Sequence, residues 1–479
     1  LRIVQTHFDQ LFAASQTDNE EDNNQELLTI WSGSLDSEVS HKLLADAGFD
    51  SPDEVLSLLR GLRAGHAYSA FSSEGRSRMD KVVPLLLASA GTTDKPLATL
   101  VRLVKLIESI GRRSAYLVLL LENPDALSLL VRLCAASSWI ANWISQHPVL
   151  LDELIDPASL YTPATKETLL LELVERLRQV GEDDLEMQME ILREFRHGHV
   201  LRIAAADVGP GLSAEQVSKQ LTCIAEVVLQ VSLELTYAAL VKKHGQPQPE
   251  ANKSAALDFA VIAYGKLGSV ELGYGSDLDL IFLYDGNGAG TDGPKPVTVE
   301  VFFARLGQRL IHMLTTRTHA GLLYEVDMRL RPSGKGGPLV TTLPAFRDYQ
   351  LERAWTWEHQ ALIRARAVTG SSDLCRRFAT VRREILCQRR EPQQLREDIR
   401  QMRSRMEAAQ AKHDPSLFDI KHDRGGIVDI EFMVQYWVLL LAANNPELTE
   451  CTDNVSILGA LADAGLLDVE RVQLLVEAY

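Results

Sequence analysis

Cysteine is scarce: Cys134, Cys223, Cys375, Cys387 and Cys451 are scattered through 479 residues, and none forms a CxxC pair. That argues against a disulfide framework and against a zinc site, and suits a reducing cytoplasm. Basic charge is also short. Lys and Arg number 49 against 65 Asp and Glu, giving a formal net charge of −16 and a pI of about 5.3. A chain built to grip a nucleic-acid backbone usually carries a basic surface, so a polymeric nucleic-acid substrate is disfavoured. Long apolar runs are missing as well. Stretches such as residues 436–443 are far too short to cross a bilayer, and no signal peptide is read, so no membrane is expected and the cytoplasm is the expected compartment. The chain opens on Leu1 rather than Met, as an excised piece of something longer would.

What is present is ordinary globular composition, 46% hydrophobic and 24% charged, over a length that suggests two or three domains. The first half reads as helix. Apolar residues recur at three and four positions through 97–110, and Asn123-Pro124 opens another helix with asparagine placed to cap it. Further helices are expected over 168–180 and 214–242, while the acidic stretch 16–26 reads as a loop. A linker follows at 245–254, and then the pattern changes. Short apolar runs at 259–264 and 278–284 read as buried strands, 285–298 as a glycine-rich loop, 299–318 as a helix and 322–330 as a third strand; from 351 helix dominates again. This gives a helical region over 1–160, a core with its preceding helices over 161–345, and a C-terminal helical bundle over 346–479.

The chemistry is concentrated in Tyr264-Gly265-Lys266-Leu267-Gly268-Ser269 and, seven residues on, Asp277-Leu278-Asp279-Leu280. A glycine-rich turn after a strand lets backbone N–H groups approach a phosphate, here at Gly268 and Ser269, with Lys266 and Ser276 nearby. Two residues apart on a strand, Asp277 and Asp279 project from one face while Leu278 and Leu280 enter the core. Paired carboxylates resist ionisation, and a divalent cation relieves that cost; hard oxygen ligands favour Mg²⁺ bridged to substrate phosphates. On the third strand the period of two puts Glu325, Asp327 and Arg329 on one face. Asp327 is the candidate third metal ligand, and Arg329, Arg331 and Lys335 stand near enough to meet phosphate oxygens.

Either element alone is common. Strand, Gly-Ser turn, DxD strand, helix and acidic strand in that order resemble a polymerase-β-like nucleotidyltransferase core with a small mixed sheet, flanked by helical domains: an α+β, mostly helical fold. The resemblance extends further. VIAYGKLGSVELGYGSDLDLIFLYD, YEVDMRLRPSGKGG (324–337), RRSAYLVLLLENP (112–124) and KHDRGGIVDIEFMVQ (421–435) closely resemble the bacterial glutamine synthetase adenylyltransferase family, most of all its carboxy-terminal, adenylylating half. Ser269 stands where glycine is expected in many relatives.

The resemblance implies AMP transfer from ATP to a tyrosine hydroxyl of glutamine synthetase, with pyrophosphate released. It also implies control by the PII signal protein and glutamine, though no residue here marks either site. Two Mg²⁺ ions, or Mn²⁺, are expected on Asp277, Asp279 and Asp327. The alternatives are the adenylyl-removing half of the same enzyme and a catalytically silent docking module.

Other features have plainer readings. His197-Gly198-His199 lacks partners at ligand spacing and reads as a surface helix or turn. Lys421 and Asp429 either support the active site or form structural ion pairs, Trp355 and Trp357 read as packing against the α/β core, and Arg112-Arg113 as a solvated helix face.

Overall fold

The protein is represented by a computed structural model that describes residues 17–110, 113–155, 164–209, 211–248, 258–286, 290–410 and 418–479, with backbone alone for 17–24 and 410. Arg112 and residues 249–254 of the expected 245–254 linker lie outside the described residues. The fold is α+β, mostly helical with a small mixed sheet, and the chain divides into two compact units.

The first unit comprises residues 1–163 and 197–213. Its described elements are helical. Pro96–Ile110 buries Leu100, Leu103, Leu106, Ile107 and Ile110 along one face, as their spacing requires. The stretch expected as a loop at 16–26 instead begins the helix Thr17–Ser32. Tertiary packing overrides its polar composition, because Leu27, Ile30 and Trp31 are buried and the Trp31 indole donates to Asp80 (2.7 Å). Asn123 does stand at the N-cap of Pro124–Ala136, but its amide donates back to Leu119 O (2.8 Å), closing the preceding helix rather than capping its own. His197 and His199 are buried within the helix Leu185–Val208 rather than on a surface, and His197 stacks on His147.

The second unit comprises residues 164–196 and 214–479 and holds the sheet. Its strands are β1 (Phe259–Ala263), β2 (Leu278–Tyr284), β3 (Val326–Asp327), β4 (Val340–Thr342) and β5 (Arg366–Gly370). The order is β3-β2-β1-β5, with β1 antiparallel to both β2 and β5. β3 and β4 share the outer edge of β2, both parallel to it, β3 at its start and β4 at its end.

β1 is buried at every position, and β2 at every position but Asp279, which explains their apolar sequences. The expected third strand over 322–330 shrinks to two residues. Beyond Asp327 the chain curls into a loop through Ser333, with φ of 63°, and the one-turn helix Gly334–Gly336. β4 and β5 were not expected; β5 is half-exposed along its whole length, so its sequence lacks an apolar run.

Helices cover the sheet. Val299–Thr315 lays Phe302, Phe303, Leu306 and Leu310 inward, and Gly307 lets it close on Phe282. The 31-residue helix Ala214–His244 is long and apolar enough to cross a membrane by composition, contrary to the expectation of short apolar stretches only. Its Leu221, Ile224, Val228, Leu229 and Leu233 are buried in the protein, so core packing accounts for its hydrophobicity. One hydrophobic cluster joins Ile262 and Ile281 of the sheet to Phe346, Leu362 and Phe378, and onward to Val434, Val438 and Leu458. Trp355, expected to pack against this core, is 71% exposed; its backbone N–H donates to the Glu358 carboxylate (2.8 Å).

Candidate active site

At the end of β1 the backbone turns through the single helical turn Gly265–Gly268, entered at Gly265 with φ of +54°. A β-carbon at position 265 would collide with the Asp279 carboxylate, so only glycine serves there. Tyr264 N–H donates to Asp279 O (2.9 Å), tying the turn to β2.

Asp277 immediately precedes β2 and Asp279 is its second residue. Leu278 and Leu280 are fully buried, so the strand's alternation turns the two aspartates the other way. The parallel register pairs Asp279 with Asp327, and Leu278 N–H donates to Glu325 O (2.9 Å). Three carboxylates from two strands therefore converge: Asp277, exposed, with Asp279 and Asp327, half-buried, each offers an oxygen within 4.8 Å of the others.

Crowding has a visible cost. Burial, and then the charges of Asp277 and Asp327, push the Asp279 carboxyl up to about 6, against partial relief from Arg329 and Arg364. Burial also pushes Asp327 upward, but hydrogen bonds from Arg329 outweigh it and hold Asp327 below the usual carboxylate range. Arg329 donates its backbone N–H to one Asp327 oxygen (2.8 Å) and its Nε to the other (2.5 Å).

This geometry sits inside a recognisable sequence. The pattern of the glutamate-ammonia ligase adenylyltransferase family matches residues 127–381, which include all three aspartates. The chain belongs to that family. The pattern of GlnD PII-uridylyltransferase matches residues 393–479.

Curated relatives include proteins named bifunctional glutamine synthetase adenylyltransferase/adenylyl-removing enzyme. That of Thioalkalivibrio sulfidiphilus is 48% identical over 487 residues, covering 100% of this chain and 50% of the relative. That of Nitrosococcus oceani is 47% identical over 483 residues, again 100% and 50%. That of Pseudomonas aeruginosa is 46% identical over 467 residues, 95% and 48%. The chain spans about half the length of the curated relatives it matches.

The other residues expected at this family member's site divide by what they touch. Lys266 is exposed on the turn and Arg329 is exposed beside Asp327. The Gly268 and Ser269 N–H groups, expected to face a phosphate, instead donate within the turn to Tyr264 O and Gly265 O (both 3.0 Å). The buried Ser269 hydroxyl donates to Glu271 (2.7 Å) and accepts from Arg364 (2.7 Å).

Several more of the expected residues shape loops. The Ser276 hydroxyl accepts from Gly273 N–H (3.0 Å). Arg331, expected to reach phosphate, staples the loop after β3 by donating to Met328 O and Lys335 O (both 3.0 Å). Glu325 is exposed and uses its carbonyl in the β2–β3 pairing. Asp429 accepts from Arg403 (2.5 Å) and Gly425 N–H (2.7 Å), while Lys421 O accepts from Val428 N–H (3.1 Å). Those bonds, with the Asp429–Arg403 ion pair among them, fix the entry to the helix Ile427–Leu441.

Sequence reasoning missed the groups behind the turn. Arg364 is buried, ion-paired with both Glu271 and Glu431, and bonded to Ser269. Arg366 donates to Gly268 O (3.1 Å) and Leu267 O (3.0 Å) and pairs with Glu226, which also holds Lys166. Thr452 donates to Gly268 O (2.9 Å), and the Tyr479 hydroxyl reaches Glu271 (3.2 Å). One signal was available: Arg364 follows Ala361-Leu362-Ile363, a cation in an apolar run, which calls for a buried counter-charge.

Proposed function

We infer that this chain transfers AMP from ATP to a tyrosine hydroxyl of glutamine synthetase, with release of pyrophosphate, as the adenylylating half of the longer enzymes it resembles. The observation that carries the reading is the convergence of Asp277, Asp279 and Asp327 beside the Gly265–Gly268 turn, within the family's sequence pattern. The direction rests on the likeness of residues 271–285 to the adenylylating half.

Three carboxylates crowded together, one of them resisting ionisation, are a donor set suited to a hard divalent cation, Mg²⁺ or Mn²⁺. Asp277, Asp279 and Asp327 would hold it, with room in the proposal for two ions. Bound there, such a cation would offset the charge that accumulates on the departing pyrophosphate.

The chain's own part is chiefly positioning, as phosphoryl-group chemistry requires. Gly265 brings the turn hard against the Asp279 carboxylate. Gly268 and Ser269 keep the turn's shape through their internal hydrogen bonds. Lys266 and Arg329, both exposed beside the carboxylates, supply cationic donors for phosphate oxygens. Control by PII and glutamine is part of the proposal, supported by the family and by the likeness of residues 393–479 to a PII-modifying enzyme.

The test is a paired assay on one preparation. Unmodified glutamine synthetase with labelled ATP is expected to gain AMP. Adenylylated glutamine synthetase with phosphate is expected to release little ADP. ADP release without AMP incorporation would assign the chain to the adenylyl-removing direction instead.

A further inference from the structure

A second charged feature lies away from the carboxylates, at the far end of β2. There Lys243, Lys295, Arg305 and Arg309 line a cavity of about 540 Å³. They come from three elements: the C-terminal end of the helix Ala214–His244, the loop between β2 and the next helix, and the helix Val299–Thr315. That last helix packs on β2 through Gly307 against Phe282. Arg305 and Arg309, two residues to either side, leave from its opposite flank, so the cavity is separate from the carboxylate cluster.

Three observations mark it as built. First, the cations are unspent. In a chain of net charge −16, no carboxylate among the described residues pairs with Lys243, Lys295, Arg305 or Arg309, whereas neighbouring Lys242 is paired with Asp183 at 2.7 Å. Second, a buried residue sets the geometry. His244 is 3% exposed, and its Nδ1 lies 2.6 Å from Lys295 O, which can only accept. Nδ1 therefore carries the proton and Nε2 accepts from Arg305 (3.0 Å), fixing one guanidinium at the cavity's edge.

Third, the loop is locked onto the helix end. Gly293 N–H donates to His244 O (2.9 Å), and a β-carbon on either Gly245 or Gly293 would strike the other strand of chain. Lys243 alone would be an ordinary cation at a helix C-terminus. Lys295, Arg305 and Arg309 have no such reason to gather.

We propose that this cavity is a binding site for an oligophosphate anion, distinct from the carboxylate site. Two guanidinium forks match phosphate oxygens in pairs, and two ammonium groups supply further charge. Of the remaining lining, the His244 ring is buried and bonded at both nitrogens to Lys295 O and Arg305, and Pro296, Val297 and Gln308 offer no aromatic face for a base, so recognition rests on the phosphate chain itself. That chain has two sources, free oligophosphate or the tail of a nucleoside triphosphate.

Calorimetry on the intact chain in EDTA tests this, since a chelator removes any metal-bridged phosphate binding at the carboxylates. Tripolyphosphate is expected to bind far more tightly than sulfate at equal ionic strength. The double variant Arg305→Ala/Arg309→Ala should weaken it at least about tenfold, while Asp279→Asn should leave it unchanged. Arg305 is exposed and Arg309 half-buried, and a circular-dichroism melt confirms that the double variant folds.

A parallel titration with ATP distinguishes the sources: equal affinity assigns a nucleotide tail, and weaker affinity assigns free oligophosphate. Tripolyphosphate binding no better than sulfate, or binding indifferent to the double variant, overturns the proposal. Neither result bears on AMP transfer, which is measured separately.

Discussion

Asp279 is both the most stressed group at the site and the most informative. It is crowded by two carboxylates and partly shut off from water, so removing its charge relieves the fold while disabling the proposed chemistry. Asp279→Asn is expected to melt no lower than the parent protein in the absence of metal. Its AMP transfer should fall by at least about a hundredfold, since losing a group that merely supports a metal ligand already costs about 10–100-fold. Thermal melts and the labelled-ATP assay measure the two effects on one sample, and near-normal transfer would remove the carboxylate from the mechanism.

The same residue sets a pH dependence. Its folded value of about 6 lies above the ordinary 3.8, so the folded chain holds the proton more tightly than the unfolded one. The stabilisation this gives is present below the ordinary value and is lost as pH rises through about 6. A divalent cation needs the ionised form. Its apparent affinity should therefore be level above pH of about 6 and fall roughly tenfold per unit below it. Manganese titrations across that range check the slope, and a flat profile would contradict it.

The residues at this site were legible in the sequence because their constraint is local. A glycine turn and a DxD alternation are visible in a few positions. Arg364 was not, because its partners Glu271 and Glu431 are far away in the chain.

At the level of elements, strands announced themselves only where both faces are buried. β1 and β2 read correctly because apolar residues fill them. β4 is three residues long and β5 is half-exposed, so neither leaves an apolar run. β3 was overread because charged and apolar residues alternate through 325–330, yet hydrogen bonding to β2 stops after two residues. The helix Thr17–Ser32 was missed for the converse reason: its polar start gives no period, and its packing comes from Leu27, Ile30 and Trp31 at the other end.

Between elements, Arg364 is the clasp that joins the segment before β5 to the turn after β1 and to the helix Ile427–Leu441. Arg364→Met leaves two partly buried glutamates without their counter-charge. A loss of about 3–5 kcal/mol is expected, as for breaking a buried ion pair from one side. Urea denaturation measures it, and a change within the ordinary range for surface substitutions would show that solvent already serves those glutamates.

Across the whole second unit, the sheet and the C-terminal helices share a hydrophobic cluster, and Thr452 and Tyr479 reach back to the turn region. The last helices are thus part of the site's support. A chain ending at residue 442 keeps Asp277, Asp279 and Asp327 but forfeits Leu448, Ile457, Leu458 and Leu461 from the core. Such a truncation is expected to abolish AMP transfer and to melt well below the parent protein. Transfer at parental levels would show that the catalytic strands stand without the bundle.

The mismatch between the strands that carry the carboxylates has its own consequence. Asp279 belongs to a seven-residue strand buried in the core and Asp277 immediately precedes it, so both are expected to stay in place for as long as that core does. Asp327 depends on two paired residues ahead of a loop. Two limbs of the cluster therefore share the fate of the domain, and the third shares the fate of a loop. Disassembly of the site is thereby uncoupled from disassembly of the protein: the acidic triad can lose a member at the energetic scale of a few backbone hydrogen bonds, with the rest of the molecule intact.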